Sequence, residues 1–575
     1  LTQIMAAKKL KKRKKKTKKV LSPEEKALLR RKNKLHADVK ALFKAMGFEY
    51  ISTNGIEKKF GDTPGELDGV YIFENIIILC EETISLDNDH LRTKQVYYQK
   101  ILENKQEFFE WLKKLGKDKF KEYPLPRYSL SYIYITETIV DEDIRNRFPQ
   151  FKYIAPKALK YFLRVAKSIR FSSRNEFFKF LGLNLDDIGS VSSSHEERHI
   201  DSAVIIPESS SGFPEGIQVV SFVMKAKELL DCAYVFRKDN WENRIGQYYQ
   251  RLVDKNKVER IRNYLAKEGR TFIDNIIVTL PEGTSFSKNN KIIDVNQIAT
   301  ISNVQIRIPY KINSIGIIDG QHRVLGHYEG NDHLENKIAQ HRDKRHLFVT
   351  GIFYEEGKFD ELKKRTFESG LFLLMNNNHS KVRTDLLHYI ETLKAPLSPI
   401  GVAGTVLMRL NEREPFLNLF KLSPLDKEGI KTPTIVKFGL QGVVEISEKK
   451  ETLFKYWKGA NKKKLLTGEL DQKIYDAYVD FCVHSLAIYF SSIKANFKDN
   501  WNLDKNNRLL ATTAIVVFLK SFSISLQKYQ DVKDFEFYKE KFSNLTIDFS
   551  KGEFAKFGSR DWKTLTDKID AECWT

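Results

Sequence analysis

Residues 23–48 read as a helix: Ser22 is a good N-cap, Glu25 three residues on completes a capping-box pattern, and Gly47 closes the segment. The pattern then shortens to strand-like runs. Residues 57–60 come first, then a turn expected at Pro64-Gly65, then two apolar runs at 66–73 and 76–80, the second ending at Glu81-Glu82-Thr83. A helix is expected over 90–102, carrying Lys94, and His90 reads as its cap or as a surface histidine. A further strand follows at 132–136, with an acidic helix start over 137–147. From 186 to 216 the chain becomes polar and rich in Ser, Gly and Pro, so a boundary is placed there, with Val204-Ile205-Ile206 packing on a neighbour. Strands resume at 219–223 and 275–278, with helices expected over 225–231, 243–252 and 258–265. Beyond Arg383 the apolar spacing is helical, as in Leu386, Ile390 and Leu393, or Tyr475, Tyr478, Phe481, Leu486 and Tyr489. A buried helix is expected to begin near 506–513, and no internal repeat is visible.

These elements predict an α/β multidomain chain. At 575 residues it is too long for one ordinary core. The expected division is a basic tail at 1–21, an α/β domain at 22–190, a linker at 191–216, a second α/β part at 217–395 and a helical region at 396–575. An apolar content of 41% is that of a globular protein. The net charge of +21 suggests a polyanionic partner, but ten of the positive charges lie in residues 8–19, leaving +11 for the rest. That tail, with Lys11, Lys12, Arg13 and Lys14 at its centre, would bind DNA or RNA without sequence preference, or serve as a solvated arm. The four cysteines form no Cys-x-x-Cys pair, which indicates neither a zinc site nor a disulfide framework and suits a reducing, cytoplasmic setting. No apolar run approaches the length of a membrane span.

Two places carry candidate chemistry. An acid on one hairpin strand, Asp68, and an acid at the end of the next, Glu81, can converge on a divalent ion. Paired carboxylates suit Mg²⁺, which keeps its waters and can activate one against a phosphodiester. The order helix, Asp in a hairpin, Glu on the next strand, helix resembles the PD-(D/E)xK restriction-endonuclease-like fold. The resemblance implies Asp68 and Glu81 as metal-binding and catalytic acids. The catalytic lysine position falls on Thr83, a departure; Lys94 on the following helix is the expected substitute, and Asp38 a possible additional acid.

The second place is the stretch 316–326, where an apolar strand ends at Asp319-Gly320 and a helix begins with Gln321, His322 and Arg323. A strand turning through Gly into a helix presents unpaired N–H groups to an anion. His322 and Arg323 add donors, and Asp319 can hold a metal or orient a water. Residues 319–323 spell the signature of the DGQHR-domain proteins. The order of 249–251, 260–265 and 371–378 around it also resembles that family over roughly residues 217–395. The resemblance implies a DndB-like protein of a ParB/sulfiredoxin-like α+β fold, working beside DNA modification or anti-phage defence. It implies ATP or another NTP bound by Asp319, Gly320, Gln321, His322 and Arg323, with Arg251 and Asn376 contributing. Arg260 and Arg262 can reach phosphates of the nucleotide or of DNA, or can be solvated helix faces. The basic-aromatic group Trp457, Lys458 and 462–464 can follow a nucleic-acid backbone, or can be a surface helix end.

The leading expectation is an Mg²⁺-dependent DNA nuclease coupled to a nucleotide-binding domain. The first alternative is a non-catalytic DNA-binding regulator whose nuclease module has decayed. The second is an NTPase or phosphotransferase. Other proteins of a defence or modification system are expected partners; oligomeric state is not legible.

Overall fold

The computed structural model describes residues 22–85, 87–138, 140, 142–189, 197–235, 253–376, 384–422, 426, 428–504, 506–554 and 561–575. Helix α1 (Pro23–Ala45) starts at the Ser22–Glu25 capping box, with both reciprocal bonds formed. Strands β1 (Glu49–Ile51), β2 (Lys58–Phe60), β3 (Thr63–Gly65), β4 (Gly69–Phe73) and β5 (Ile76–Thr83) follow. β2 and β3 form a separate small hairpin, so Pro64 and Gly65 lie in a strand and the turn comes earlier, at Gly61-Asp62. Then come α2 (Asn88–Glu103), α3 (Lys105–Gly116), β6 (Ser129–Thr136), α4 (Glu142–Arg147), β7 (Phe151–Ile154), α5 (Pro156–Ile169) and α6 (Arg174–Leu181). Glu137 and Thr138, expected to open that helix, are not helical, and the described helix is Glu142–Arg147.

The first sheet has the order β1-β4-β5-β6-β7, antiparallel on the β1 side and parallel between β5, β6 and β7. β5 lies at its centre and buries six residues in succession, as a strand covered on both faces does. Alternate side chains divide between two layers. Ile78 and Cys80 join the core with α1 and α5, whereas Ile77 and Leu79 join the core with α2 and α3. Each buried Ile or Leu contributes about 1.5–3 kcal/mol of transfer free energy.

The second sheet has nine strands. It comprises β8 (Glu197–Ile206), β9 (Ile217–Lys225), β10 (Ala233–Val235), β11 (Ile276–Thr279), β12 (Ser285–Lys288), β13 (Lys291–Ile293), β14 (Ser302–Pro309), β15 (Ile315–Asp319) and β16 (His346–Tyr354). Their order is β10-β15-β11-β16-β9-β8-β14-β12-β13. The short helix α7 (Glu208–Ser211) and then α8 (Ala226–Cys232), α9 (Lys255–Glu268), α10 (Gln321–Leu325) and α11 (Glu335–Lys344) punctuate it, and α12 (Glu361–Asn376) and α13 (Thr384–Lys394) cover one face. The stretch expected to be a linker at 191–216 therefore holds β8, an inner strand paired with both β9 and β14. Its exposed Asp201 and Ser202 are followed by Ala203 and Ile205, whose side chains reach the core.

The two sheets are not separate cores. One apolar cluster runs from α1 and α5 to β9, β11 and β15. Arg174, at the start of α6, ties the two parts: it donates to Met46 O at 2.8 Å and pairs with Glu329 at 2.7 Å, beyond α10. Its guanidinium also stacks on Phe73, 4.1 Å from the ring centre. The C-terminal part packs helices around its own core, led by Gln472–Asn496 and Thr512–Tyr529. Among the described residues no helix is long and apolar enough to cross a membrane.

Candidate active site

The sheet's two-residue period decides where each acid goes. Glu81 and Glu82 are adjacent at the end of β5, so their side chains leave on opposite faces. Glu81 faces α2 and Glu82 faces α1. Asp68 immediately precedes β4 and accepts the Glu82 N–H at 2.7 Å, which holds it at the end of β5 between the two.

Around Glu81 the arrangement is tight. Lys94 Nζ on α2 lies 2.7 Å from Glu81 Oε2 and also donates to Glu66 O at 2.6 Å. Tyr132 Oη, on the neighbouring strand β6, donates to Glu81 Oε1 at 2.9 Å. The side chain is only 2% exposed. Burial pushes the Glu81 carboxyl up to about 8; Lys94 pulls against this and the charge of Asp68 adds to it. His90, in the first turn of α2, contacts Tyr134 Oη through Nδ1. Burial, and then the charge of Lys94, lower its pKa. It stands exposed in the first turn of α2, as the surface reading had it, with its ring reaching Tyr134.

On the other face, His36 of α1 meets Glu82 Oε2 at 3.1 Å, while the buried Glu82 Oε1 has no hydrogen-bond partner. Burial pushes Glu82 up to about 7, with Asp68 raising it further and His36 opposing. Neither Glu82 nor His36 was singled out from the sequence. The signal for Glu82 was its adjacency to Glu81 on a strand. His36, far away in sequence, gave none. Asp38 lies on α1 as well, but His36 is the α1 side chain that reaches the carboxylates.

Of the expected catalytic residues, Asp68, Glu81 and Lys94 come together. Thr83 does not join them: its hydroxyl is engaged in a local turn with Ser85. Among the described residues no group of three or more His, Cys, Asp or Glu is arranged to hold a metal. Asp68 and Glu81 make a two-carboxylate set, which is the kind Mg²⁺ takes with water filling its remaining positions.

The turn at 319–323 joins strand to helix where expected, β15 ending at Asp319 and α10 beginning at Gln321, but its side chains are engaged within the protein. Gly320 has φ +89°, and a Cβ there would approach Ile276 Cδ1 to 2.6 Å, so the position requires glycine. The helix that follows, α10, has only five residues. Arg323 is held by Asp274 at 3.1 Å, Asp319 at 3.3 Å and Asn275 O at 2.9 Å. Gln321 is buried with both side-chain amide atoms lacking hydrogen-bond partners, and His322 Nε2 accepts from the Asp254 N–H at 3.4 Å. Asn376 ends α12. Arg251, Lys11, Lys12, Arg13 and Lys14 lie outside the described residues.

One nucleic-acid expectation is corrected. Arg262 is 1% exposed: it bonds Asp332, Glu335 and Tyr328 O and stacks on the Tyr328 ring, so it binds the α9–α11 corner together and cannot reach a phosphate. Arg260, on the same helix, is exposed. In the group around Trp457, the indole is buried against Tyr478 and so is not offered for stacking, and Lys462 and Lys464 pair with Glu448 and Asp471, while Lys458 and Lys463 are exposed. No family model, curated protein or solved structure matches the chain.

Proposed function

We propose that the chain is a metal-dependent phosphodiesterase acting on DNA, its first sheet a restriction-endonuclease-like core and its second a DGQHR-type domain that responds to a nucleotide. The observation that carries the reading is Lys94 on Glu81 at 2.7 Å. The ammonium missing from β5, where Thr83 stands, reaches the second acid from α2. An Mg²⁺ ion held by Asp68 and Glu81 would supply a Lewis acid and an activated water. Lys94 pulls the Glu81 carboxyl toward its ionised form against the burial that raises it, and presents positive charge to a phosphate. Tyr132 orients the carboxylate. His36 and Glu82 offer a proton acceptor on the far side of Asp68. The Arg174–Glu329 pair is a physical connection through which the 319–323 turn can bias this site.

The test is plasmid cleavage with Mg²⁺, with and without ATP, alongside Asp68→Ala, Lys94→Met and Arg323→Ala, with DNA binding measured in parallel. Cleavage lost in the first two variants with binding retained supports the reading. An ATP effect lost only in Arg323→Ala supports the coupled domain. One observation favours a second reading, a non-catalytic DNA-binding regulator: both oxygens of Glu81 are already engaged and its side chain is nearly inaccessible. DNA binding by the wild-type protein without cleavage in any condition would select it.

A further inference from the structure

A cavity of about 510 Å³ opens at the end of β15 opposite Asp319. It is lined by the loop after β11, the end of β16 and one face of α12. Three steps along the strand separate Gly316 from Asp319, about 10 Å, so this cavity is not the 319–323 turn. Its walls are aromatic: Tyr234, Tyr354, Phe359 and Tyr389 line it, with Tyr354 and Phe359 rings 5.2 Å apart. Gly316 serves it directly. A Cβ there would come within 2.9 Å of Tyr234 Oη and 2.5 Å of Thr279 Oγ1, both cavity residues.

Glu368 of α12 also lines the cavity and is 6% exposed. Its Oε1 accepts from Tyr354 Oη at 3.3 Å. Burial pushes its carboxyl up to about 8, with Glu361 raising it further. Among the described residues no ion pair forms at this buried carboxyl, on which Arg365 and Lys364 exert only a weaker opposing pull. The two cations that line the cavity, Lys364 and Arg365, are instead within 3.7 and 4.0 Å of Glu361 at its mouth. Glu282, Glu355 and Glu356 complete the lining, so acids outnumber cations here in a chain whose net charge is +21.

We propose that this cavity binds a small organic cation bearing a primary ammonium or guanidinium group, seated on Glu368 and enclosed by Tyr234, Tyr354 and Tyr389. The ammonium would supply the counter-charge that Glu368 lacks, and the ring faces would add cation–π attraction, which is strongest where water is excluded. The surrounding acids would raise the local concentration of cations and disfavour anions such as nucleotides.

Isothermal titration of putrescine and of agmatine into the full chain tests this, with AMP as the anionic control. Binding of either amine is expected. Glu368→Gln should weaken it by about tenfold or more, the loss of one charge-assisted contact in a desolvated site. Glu356→Gln, at an exposed position, should weaken it less and reduce its salt dependence, and it serves if Glu368→Gln fails to fold. No binding of either amine, unchanged affinity in both variants, or AMP binding that Glu368→Gln abolishes would overturn the assignment.

Discussion

Replacing Glu81 by Gln should abolish a loss of stability that the wild type suffers as pH rises, while removing any metal-dependent chemistry. The carboxyl of Glu81 titrates at about 8 in the folded chain against an ordinary value of 4.5. The group is an acid with a raised folded pKa. Between those two values the unfolded chain has released the proton and the folded chain has kept it. Stability contributed by the neutral carboxyl is therefore fully present below about 4.5 and is lost as pH climbs to about 8. The slope is about 1.4 kcal/mol per pH unit, so the whole window carries at most about 5 kcal/mol. The amide of the Glu81→Gln variant has no proton to lose in this range. It keeps an oxygen for Lys94 and a polar atom for Tyr132, and so stands in for the neutral acid. Urea unfolding of both proteins in EDTA, at intervals from pH 5 to pH 9, should show the stability difference widening in favour of Glu81→Gln up to about pH 8 and then levelling. Adding Mg²⁺ should restore stability to the wild type alone, because the ion binds the ionised carboxylate and releases its proton. Parallel curves across that range would refute the reasoning: burial would then not be opposing the charge of Glu81.

Arg262→Ala should lower stability by about 3–5 kcal/mol, because it leaves Asp332 and Glu335 without their shared cation, and it should leave the salt dependence of DNA binding unchanged; thermal unfolding and a binding titration at two salt concentrations check both. Gly320→Ala should destabilise by more than about 1 kcal/mol through its positive φ and the approach to Ile276, read as a fall in urea midpoint. Removing residues 1–21, which contain ten clustered cations at 8–19, should flatten the logarithmic salt dependence of DNA binding by several units of slope; an unchanged slope would show the tail to be a solvated arm.

The parts of this fold that could be read from the sequence were those encoded locally. The capping box at Ser22 and the apolar run of β5 are short-range signals, and both elements stand where the residues put them. The reach of Lys94 to Glu81 could be anticipated for the same reason, since a helix after a central strand passes back over that strand's face. Arg262 was misread because its anionic partners, Asp332 and Glu335, lie some seventy residues on, and a cation's partners at that range leave no pattern in its own neighbourhood. β8 was hidden by composition: Ser and Asp mark breaks in a loop, but on a strand they also fill the outward positions.

The same distinction bears on how the two sheets cooperate. Arg174 has no distinguishing neighbours in sequence, yet it is buried and touches three separated segments: the end of α1 through Met46 O, the first sheet through Phe73, and the segment after α10 through Glu329. The backbone is joined there too, with Phe171 N–H donating to Glu329 O at 2.9 Å and Glu329 N–H donating to Ser172 Oγ at 2.8 Å. Helix α1, whose end Arg174 holds, carries His36 to Glu82. A displacement of α10 would therefore be felt at α1 and from there at the acids of β5. If the 319–323 turn and the carboxylate cluster are coupled, Arg174→Met should uncouple them while leaving each site's own residues untouched. A nucleotide effect on the first site that persists in that variant would place the coupling elsewhere in the shared apolar core.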